Sequence, residues 1–390
     1  MPFRRPITVF VLGIVLLLFE IVYPRSYWRK VDAGFQGQIN GVAMSPDGRH
    51  IVLSGGFCRH SSDRGITWES VGSCPDIMVF GDNAHLFATG FTQGCNLPNG
   101  YADIERSSDY GKSWNITIVR PPMCFSDIFF IDSLHGWSVG SNKDSIVITK
   151  DGGRTLTTRS YGLPNYFAAG VVFIDSLRGW VVGGLQGTDT AVMATTDGGN
   201  SWTHYSFGIP FFSARYIDFV DSLHGWLDAK CIFHTTDAGR SWVNQGTFCY
   251  FGGVIRSVQA VDSLHVWVFG DYFAPFIWKT TDGGQTWTLE YNGPGSSILD
   301  ATMVDSSRGV AAGGNGMVLI YTPLILGDLN ADEQVSFLDI AFELNRVFLE
   351  QAFPSPLEAG DTNCDGLFSA ADVVLLLFRV FRDTPFPCSI

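Results

Sequence analysis

The octapeptide TTDGGNSW, from Thr195 to Trp202, decides the fold, because close copies of it recur along most of the chain. The copies share the pattern Ser/Thr-x-Asp-x-Gly-x-Ser/Thr followed by Trp, and only the third replaces the Trp, with Leu156. The other copies are SSDRGITW at 61–68, SSDYGKSW at 107–114, TKDGGRTL at 149–156, TTDAGRSW at 235–242 and TTDGGQTW at 280–287. Their aspartates, spaced 40 to 46 residues apart, are Asp63, Asp109, Asp151, Asp197, Asp237 and Asp282. A period of this length indicates one small structural unit per copy.

The residue types of this motif, called here the Asp box, suit a tight turn between two strands. The Asp side chain is short enough to accept hydrogen bonds from the turn's own N–H groups. Gly supplies the positive φ of the turn, the Ser/Thr hydroxyl ties across the hairpin, and Trp fills space between sheets. We therefore interpret the box residues as fold-making and not catalytic.

A second motif lies between the boxes and completes the repeat. It reads FIDSLHGWSVG at 130–140, FIDSLRGWVVG at 173–183, FVDSLHGWLDA at 219–229, AVDSLHVWVFG at 260–270 and MVDSSRGVAAG at 303–313, with looser copies at 44–56 and 79–90. Apolar alternation marks one strand before the Asp-Ser turn, one after it, and one on each side of the Asp box. Seven copies of a four-stranded unit predict an all-β, seven-bladed β-propeller.

Six boxes serve seven repeats, so one blade lacks its fourth strand. The segment from Tyr27 to Val31 resembles the strands that follow the boxes. We expect it to complete the blade formed by residues 297–322 and to remove an open sheet edge. The propeller then spans residues 27–323.

Eight cysteines suggest disulfides in an exported chain. Three pairs bracket hairpins, and a fourth pair lies in the C-terminal region; free buried thiols are the alternative. The predicted pairs are Cys58 with Cys74, Cys95 with Cys124, Cys231 with Cys249, and Cys364 with Cys388.

The N-terminus is typical of an export leader. Arg4 and Arg5 precede an apolar run from Ile7 to Phe19, which suits a signal-peptide core better than a full membrane span. No small-x-small cleavage site is evident, so residues 1–25 are predicted to be a signal peptide or an uncleaved anchor; a buried helix is the alternative. The protein is accordingly expected outside the cytoplasm, secreted or membrane-anchored.

The C-terminal region, residues 327–390 and called here the tail, is a separate acidic unit. It holds 11 acidic and 3 basic residues, a net charge of −8 out of −13 for the whole chain. Two loops, GDLNADEQVSFLD at 327–339 and GDTNCDGLFSAAD at 360–372, place oxygen ligands at positions 1, 3, 5, 7, 9 and 12 of a calcium loop. We predict two calcium ions, bound by Asp328, Asn330, Asp332, Gln334, Ser336 and Asp339, and by Asp361, Asn363, Asp365, Leu367, Ser369 and Asp372.

The duplicated loop and helix, with Asp at position 12, resembles the dockerin family over residues 327–390. That resemblance implies a cohesin-type protein partner. Two features depart from the family pattern: Glu333 stands where Gly366 stands in the second loop, and positions 10 and 11 are Phe337-Leu338 and Ala370-Ala371. The apolar residues 373–377 are expected to form the core of this module, against the propeller or within the tail.

The alternating turn and box motifs resemble the photosystem II assembly and stability factor family of seven-bladed propellers. The resemblance implies an assembly or scaffold protein that is not an enzyme, with photosystem-binding members using an arginine-lined face. In this chain the arginines are scattered, as at Arg59, Arg106, Arg159 and Arg215. We expect a protein partner, with peptide or carbohydrate on one propeller face as a further interpretation.

The alternative is an extracellular glycoside hydrolase that carries a dockerin. Sialidases also contain Asp boxes, and xyloglucanases combine Asp-box propellers with dockerins but use two propellers, each supplying a carboxylate. Glutamate is scarce in the blades, at Glu69, Glu105 and Glu290, and no carboxylate pair stands out. The negative net charge and the absence of a basic run give no sign of nucleic-acid binding.

Overall fold

The computed structural model describes residues 26–90, 102–119, 124–140, 144–185, 189–210, 214–245, 253–294, 296–323 and 370–382, with positions 325, 328, 335–336, 339–340 and 361–362. The predicted leader at 1–25 lies outside the described residues, so its assignment stays a prediction. Over the described ranges, no helix combines the length and apolar character that crossing a membrane requires.

The described strands form seven sheets of four antiparallel strands, which are the seven predicted blades. Blade 1 holds β2 (Gly41–Met44), β3 (Ile51–Ser54), β4 (Cys58–Ser61) and β5 (Glu69–Gly72). Blade 2 holds β6 (Ile77–Phe80), β7 (Leu86–Gly90), β8 (Ala102–Ser107) and β9 (Asn115–Val119). Blade 3 holds β10 (Phe125–Phe130), β11 (Gly136–Gly140), β12 (Ser145–Thr149) and β13 (Thr157–Ser160). Blade 4 holds β14 (Tyr166–Phe173), β15 (Gly179–Leu185), β16 (Asp189–Thr195) and β17 (Thr203–Pro210).

The remaining three blades follow the same order. Blade 5 holds β18 (Ile217–Phe219), β19 (Gly225–Asp228), β20 (Ile232–Thr235) and β21 (Val243–Asn244). Blade 6 holds β22 (Val254–Ala260), β23 (Val266–Tyr272), β24 (Ala274–Thr280) and β25 (Thr288–Tyr291). Blade 7 holds β26 (Ile298–Asp305), β27 (Arg308–Gly313), a 3₁₀ turn η1 (Gly314–Gly316) and β28 (Val318–Pro323), with β1 (Ser26–Val31) as its fourth strand.

The N-terminal strand β1 closes the ring, which confirms the prediction. It pairs antiparallel with β28, with Tyr27 opposite Thr322 and Val31 opposite Val318. One sheet therefore contains both ends of the propeller chain, and β1 covers the edge of β28 that would otherwise be open.

The core lies between neighbouring blades, where aromatic residues of the repeat stack on one another. Phe173 of blade 4 stacks on Trp137 of blade 3 at 3.7 Å, and Phe219 of blade 5 stacks on Trp180 of blade 4 at the same distance. The Trp137 indole N–H also donates to the main-chain carbonyl of Gly198 at 3.2 Å. The Gly-Trp motif thus joins its blade to the next blade's Asp box by packing and by hydrogen bonding.

The Asp box has the geometry that its residue types predict. In the fourth box, Asp197 Oδ1 accepts the main-chain N–H of Ser201 at 2.9 Å, and the Thr195 hydroxyl accepts the N–H of Gly199 at 3.0 Å. Gly198 and Gly199 have φ values of +75° and +91°, which glycine adopts without steric cost. The box is a self-contained turn, and its side chains are occupied in holding that turn.

The propeller has two faces, which we name by their loops. The N–H of Gly152 donates to the carbonyl of Leu134 at 2.8 Å, so the Asp boxes and the loops joining first to second strands share one face, the box face. The opposite face, the hairpin face, carries the hairpins that join second to third strands. The first strands begin on this face; in blade 6, for example, Val254 at the start of the first strand pairs with Asp271 near the end of the second.

The described cysteines agree with the predicted disulfide pattern. Cys58 and Cys74 form a disulfide, with Cα atoms 6.0 Å apart. Cys124 and Cys231 are also disulfide-bonded. Their predicted partners, Cys95 and Cys249, lie outside the described residues, as do Cys364 and Cys388, so those three pairings stay predictions.

The tail contributes one described helix, α1 (Ala370–Arg382). The other half of the predicted two-helix module falls largely outside the described residues, and that module stays a prediction. The expectation that residues 373–377 all pack inward was wrong for Val374, which is 47% exposed, whereas Val373 and Leu376 are buried. A helix places only every third or fourth residue on one face. Leu376 and Ile340 pack with Tyr27 of β1.

Candidate functional site

A central channel runs through the propeller and encloses about 590 Å³. The first strands of all seven blades supply its walls. Its polar lining residues are Asn40, Asp76, Ser126, Asp127, Arg215, Tyr216, Asp218, Ser257, Gln259, Asp300 and Thr302. Four carboxylates against one arginine make the channel acidic.

Three of these aspartates join one blade to the next. Asp127 of blade 3 accepts the N–H of Val171 in blade 4 at 2.9 Å. Asp218 of blade 5 accepts the N–H of Ala260 in blade 6 at 2.8 Å. Asp300 of blade 7 accepts the N–H of Val42 in blade 1 at 2.9 Å. No shared motif marks the three residues in the sequence, because Asp218 stands at a different strand position from Asp127 and Asp300.

Burial raises the pKa of each of the three carboxyl groups to about 7. Hydrogen bonds from main-chain N–H groups oppose this rise, since they favour the charged form. A raised carboxyl pKa is common at catalytic sites, but it also follows from a structural role in a narrow channel. Here each group is engaged in an inter-blade contact, which favours the structural role.

The channel opens on the hairpin face among charged and aromatic side chains. Arg215 is exposed there at the start of blade 5. Arg256 Nε lies 3.0 Å from Asp271 Oδ2 in blade 6. At the tip of the adjoining hairpin, Phe273 is 96% exposed and contacts the half-exposed ring of Tyr272 at 4.3 Å. An aromatic ring so fully in water is unusual for a packing residue and typical of a contact surface.

The recurring histidines of the turn motif lie on the box face and do not meet. Nδ1 of His135, His224 and His265 contacts Asp132, Asp221 and Asp262, respectively, at 2.8–2.9 Å. Each pair belongs to a different blade and lies in the turn between its first and second strands. No group of three or more His, Cys, Asp or Glu suited to a metal ion occurs among the described residues.

The tail brings several predicted calcium ligands into buried positions. Asp328, Asp339, Asp361 and Asp372 are at most 6% exposed. The N–H of Ser336 donates to Asp339 Oδ2 at 2.7 Å, and the Thr362 hydroxyl donates to the Asp372 carbonyl at 3.0 Å. The other predicted ligands, Asn330, Asp332, Gln334, Asn363, Asp365, Leu367 and Ser369, lie outside the described residues.

The fold and the channel place the protein in the class of seven-bladed Asp-box propellers whose N-terminal strand closes the ring. The sequence profile of the photosynthesis system II assembly factor YCF48 family matches residues 111–204 and 165–323, which together exceed half of the chain. The chain belongs to this family. No curated protein matches the chain.

Solved structures share the propeller fold. YCF48 from Cyanidioschyzon merolae is 16% identical with a TM-score of 0.56, covering 76% of this chain and 98% of its own. YCF48 bound to D1 peptide is 18% identical with a TM-score of 0.55, covering 77% and 97%. The GH74 xyloglucanase from Xanthomonas campestris is 12% identical with a TM-score of 0.57, covering 75% of this chain but only 53% of the enzyme. At these identities the likeness shows the fold alone.

Proposed function

We propose that the chain is a non-catalytic assembly or scaffold propeller that binds a polypeptide segment on its hairpin face, over the mouth of the channel. Membership of the assembly-factor family carries this proposal. A solved YCF48 structure contains a D1 peptide, which supports a polypeptide as the class of ligand. The partner of this chain is then a protein with an extended segment.

The hairpin face supplies the chemistry that such a segment needs. Phe273 and Tyr272 expose apolar surface, and its burial by a partner would stabilise the complex. Arg215, at the channel mouth, offers a charged donor for a carboxylate or carbonyl of the partner. An aromatic anchor beside a cationic donor suits a peptide that carries an apolar side chain near an acidic group.

A glycoside hydrolase is the second candidate, supported by the GH74 neighbours. Hydrolysis requires two carboxyl groups free to act on one glycosidic bond. Asp127, Asp218 and Asp300 are instead engaged by main-chain N–H groups that join blades. The chain also spans about half the length of those enzymes. Binding is therefore the better supported function.

The experiment that separates the two candidates uses one preparation of the full chain. A fluorescently labelled D1 peptide is titrated with the protein, and xyloglucan is incubated with the same protein. We expect saturable binding of the peptide and no release of reducing sugar. Sugar release that Asp127→Asn or Asp300→Asn abolishes would establish the hydrolase instead.

For the tail we propose two calcium sites, one in each loop, and a calcium-dependent protein partner of the cohesin type. The buried positions of Asp328, Asp339, Asp361 and Asp372 support this proposal. Buried carboxylates are costly unless a cation or hydrogen bonds compensate them. Their hard oxygens suit calcium, which would hold each loop in its turn when bound.

We further propose that the protein acts outside the cytoplasm, secreted or anchored through residues 1–25. The Cys58–Cys74 disulfide supports an oxidising compartment. N-terminal sequencing of the protein recovered from its native compartment distinguishes a cleaved leader, with a start near Ser26, from an intact anchor.

A further inference from the structure

Two carboxyl groups converge on the backbone of blade 2, away from the channel and from the tail. Asp103 and Glu105 are alternate residues of β8 and therefore share one face of that strand. Both reach the same point above Gly90 of β7. A methyl group added to Gly90 would collide with Asp103 Oδ1 and would lie 2.7 Å from Glu105 Oε1. The two carboxyl groups thus come together over the backbone in space that a side chain at this position would take.

The Asp103 carboxylate is buried and incompletely paired. Its side chain is 4% exposed, and Oδ1 has no hydrogen-bond partner among the described residues. A buried polar atom without a partner destabilises the folded protein. An orphaned anionic oxygen aimed at a second carboxylate indicates a missing positive charge.

Among the described residues, the cross-strand neighbours of the two acids supply no such charge. In the sheet, Asp103 pairs with Gly90 and Ile118, and Glu105 pairs with Ala88 and Ile116, so the cross-strand neighbours of both acids are apolar. Residues 91–101, which connect β7 to β8, contain no Lys, Arg or His.

The electrostatics agree with this geometry. Burial and the charge of Asp103 raise the pKa of Glu105 to about 7. Burial raises the pKa of Asp103 as well, and a hydrogen bond from the main-chain N–H of Gly90 to its carboxylate opposes this rise. Each acid is held in a setting that disfavours its charged form unless a cation is present.

We propose that Asp103 Oδ1 and Glu105 Oε1 form a binding site for a hard divalent cation, with calcium as the natural ion. Carboxylate oxygens are the ligands that calcium prefers, and water completes its coordination. Gly90 is the third element of the site, since its missing side chain lets both carboxyl groups approach the same point of the backbone. The site lies at the hairpin end of blade 2 and shares no residue with the calcium loops of the tail or with the proposed peptide-binding residues Arg215, Tyr272 and Phe273.

The test counts calcium ions bound to the full chain by native mass spectrometry and isothermal titration. The double variant Asp103→Asn/Glu105→Gln keeps the shape of both side chains and removes their charge; we expect it to bind one ion fewer than the wild type. Gly90→Ala is expected to lose the same ion through steric overlap. Glu69→Gln is the control, since it removes an exposed carboxylate of the neighbouring blade and leaves the count unchanged.

A complementary variant leaves blade 2 intact and disables the tail. Asp339→Asn/Asp372→Asn is expected to retain one calcium ion, which further substitution of Asp103 and Glu105 then removes. Equal ion counts for the wild type and the Asp103/Glu105 variant, or no ion on the tail-disabled chain, would overturn the proposal. This second route holds even where a blade 2 variant fails to fold.

Discussion

The indole N–H of Trp28 donates a 3.1 Å hydrogen bond to Glu290 Oε2, although 262 positions separate the two residues. The same carboxylate accepts the indole N–H of Trp267 at 3.2 Å and the hydroxyl of Tyr321 at 3.2 Å, and Lys279 lies 3.3 Å from it. Glu290 belongs to blade 6 and Trp28 to the N-terminal strand of blade 7. One carboxylate therefore joins the first strand of the chain to the last two blades of the ring.

This relationship predicts that Trp28→Ala weakens the whole propeller. The substitution removes the hydrogen bond to Glu290 and the packing on Tyr321, whose ring lies 4.8 Å away. We expect a loss of about 2 kcal/mol in the free energy of unfolding, below the range for a fully buried aromatic cut to alanine, because Trp28 is partly buried. Urea denaturation measures it. Val243→Ala, on the exposed outer strand of blade 5, is the control and should cost under about 0.5 kcal/mol; equal losses for both would contradict ring closure through Trp28.

The third Asp box predicts a stabilising substitution. Leu156 replaces the Trp of the other boxes and packs against Ile104, Phe130 and Val147 between blades 2 and 3. In the fourth box, Trp202 fills the equivalent space and donates to the Gly199 carbonyl at 3.2 Å. Leu156→Trp should raise the free energy of unfolding by about 1 kcal/mol, because it restores the aromatic packing and the indole hydrogen bond that the fourth box has.

The control for this change is Leu289→Trp, because Leu289 is 40% exposed on an outer strand and lies outside the Asp boxes. Thermal unfolding followed by calorimetry compares the two variants. A lower melting temperature for Leu156→Trp would show that the backbone around the third box has adjusted to leucine.

The repeat arrangement was readable from sequence because each blade repeats a turn whose chemistry is local. Asp197 and Gly199 act within eight residues, so the box and its strands follow from spacing. The strand at Tyr27 was identified by its likeness to post-box strands. The channel aspartates were not predicted, because Asp127, Asp218 and Asp300 bond across blades and only the closed ring brings their partners near. The Asp103–Glu105 pair was missed because its meaning depends on the bare backbone at Gly90.

The buried carboxyl groups of the channel predict that stability falls as pH rises from about 4 to about 7. The folded protein binds a proton at Asp218 more tightly than the unfolded chain, since its pKa rises from 3.8 to about 7. Deprotonation above pH 4 therefore costs folding free energy, by at most about 1.4 kcal/mol per pKa unit. Water in the channel reduces this amount.

Asp218→Asn should flatten the wild-type slope between pH 4 and 7, as measured by urea unfolding across that range. Burial lowers the pKa of His50 and His234, so these two groups make stability rise with pH in the same range. Their contribution is the same in variant and wild type, and the difference between the two slopes therefore reports on Asp218. An unchanged slope would mean that the channel carboxylate is fully solvated.

The Asp boxes predict the opposite behaviour in acid. Hydrogen bonds within the box, first from the Ser201 hydroxyl, lower the pKa of Asp197 from 3.8 to about 2. Its contribution is present above pH 4 and is lost as pH falls toward 2. Asp197→Asn should reduce the loss of stability between pH 4 and 2, and a loss identical to that of the wild type would contradict this role.

The tail predicts a fixed change in calcium stoichiometry. Asp339→Asn/Asp372→Asn neutralises position 12 of both loops, so the full chain should bind two fewer calcium ions in isothermal titration. Asp262→Asn, which removes a half-exposed carboxylate of the box face, is the control. An unchanged count for the position 12 variant would exclude both loops as calcium sites.

The central claim is that the hairpin face binds polypeptide. Its most direct test selects peptides from a random library by binding to the full chain and then measures their affinity for variants of each face. We predict that Arg215→Ala/Phe273→Ser weakens the selected peptides at least about tenfold, a change of about 1.4 kcal/mol. Leu264→Ser, which alters a residue 51% exposed on the box face, should leave their affinity unchanged. Peptides that lose affinity with Leu264→Ser and keep it with the hairpin-face variant would contradict the account.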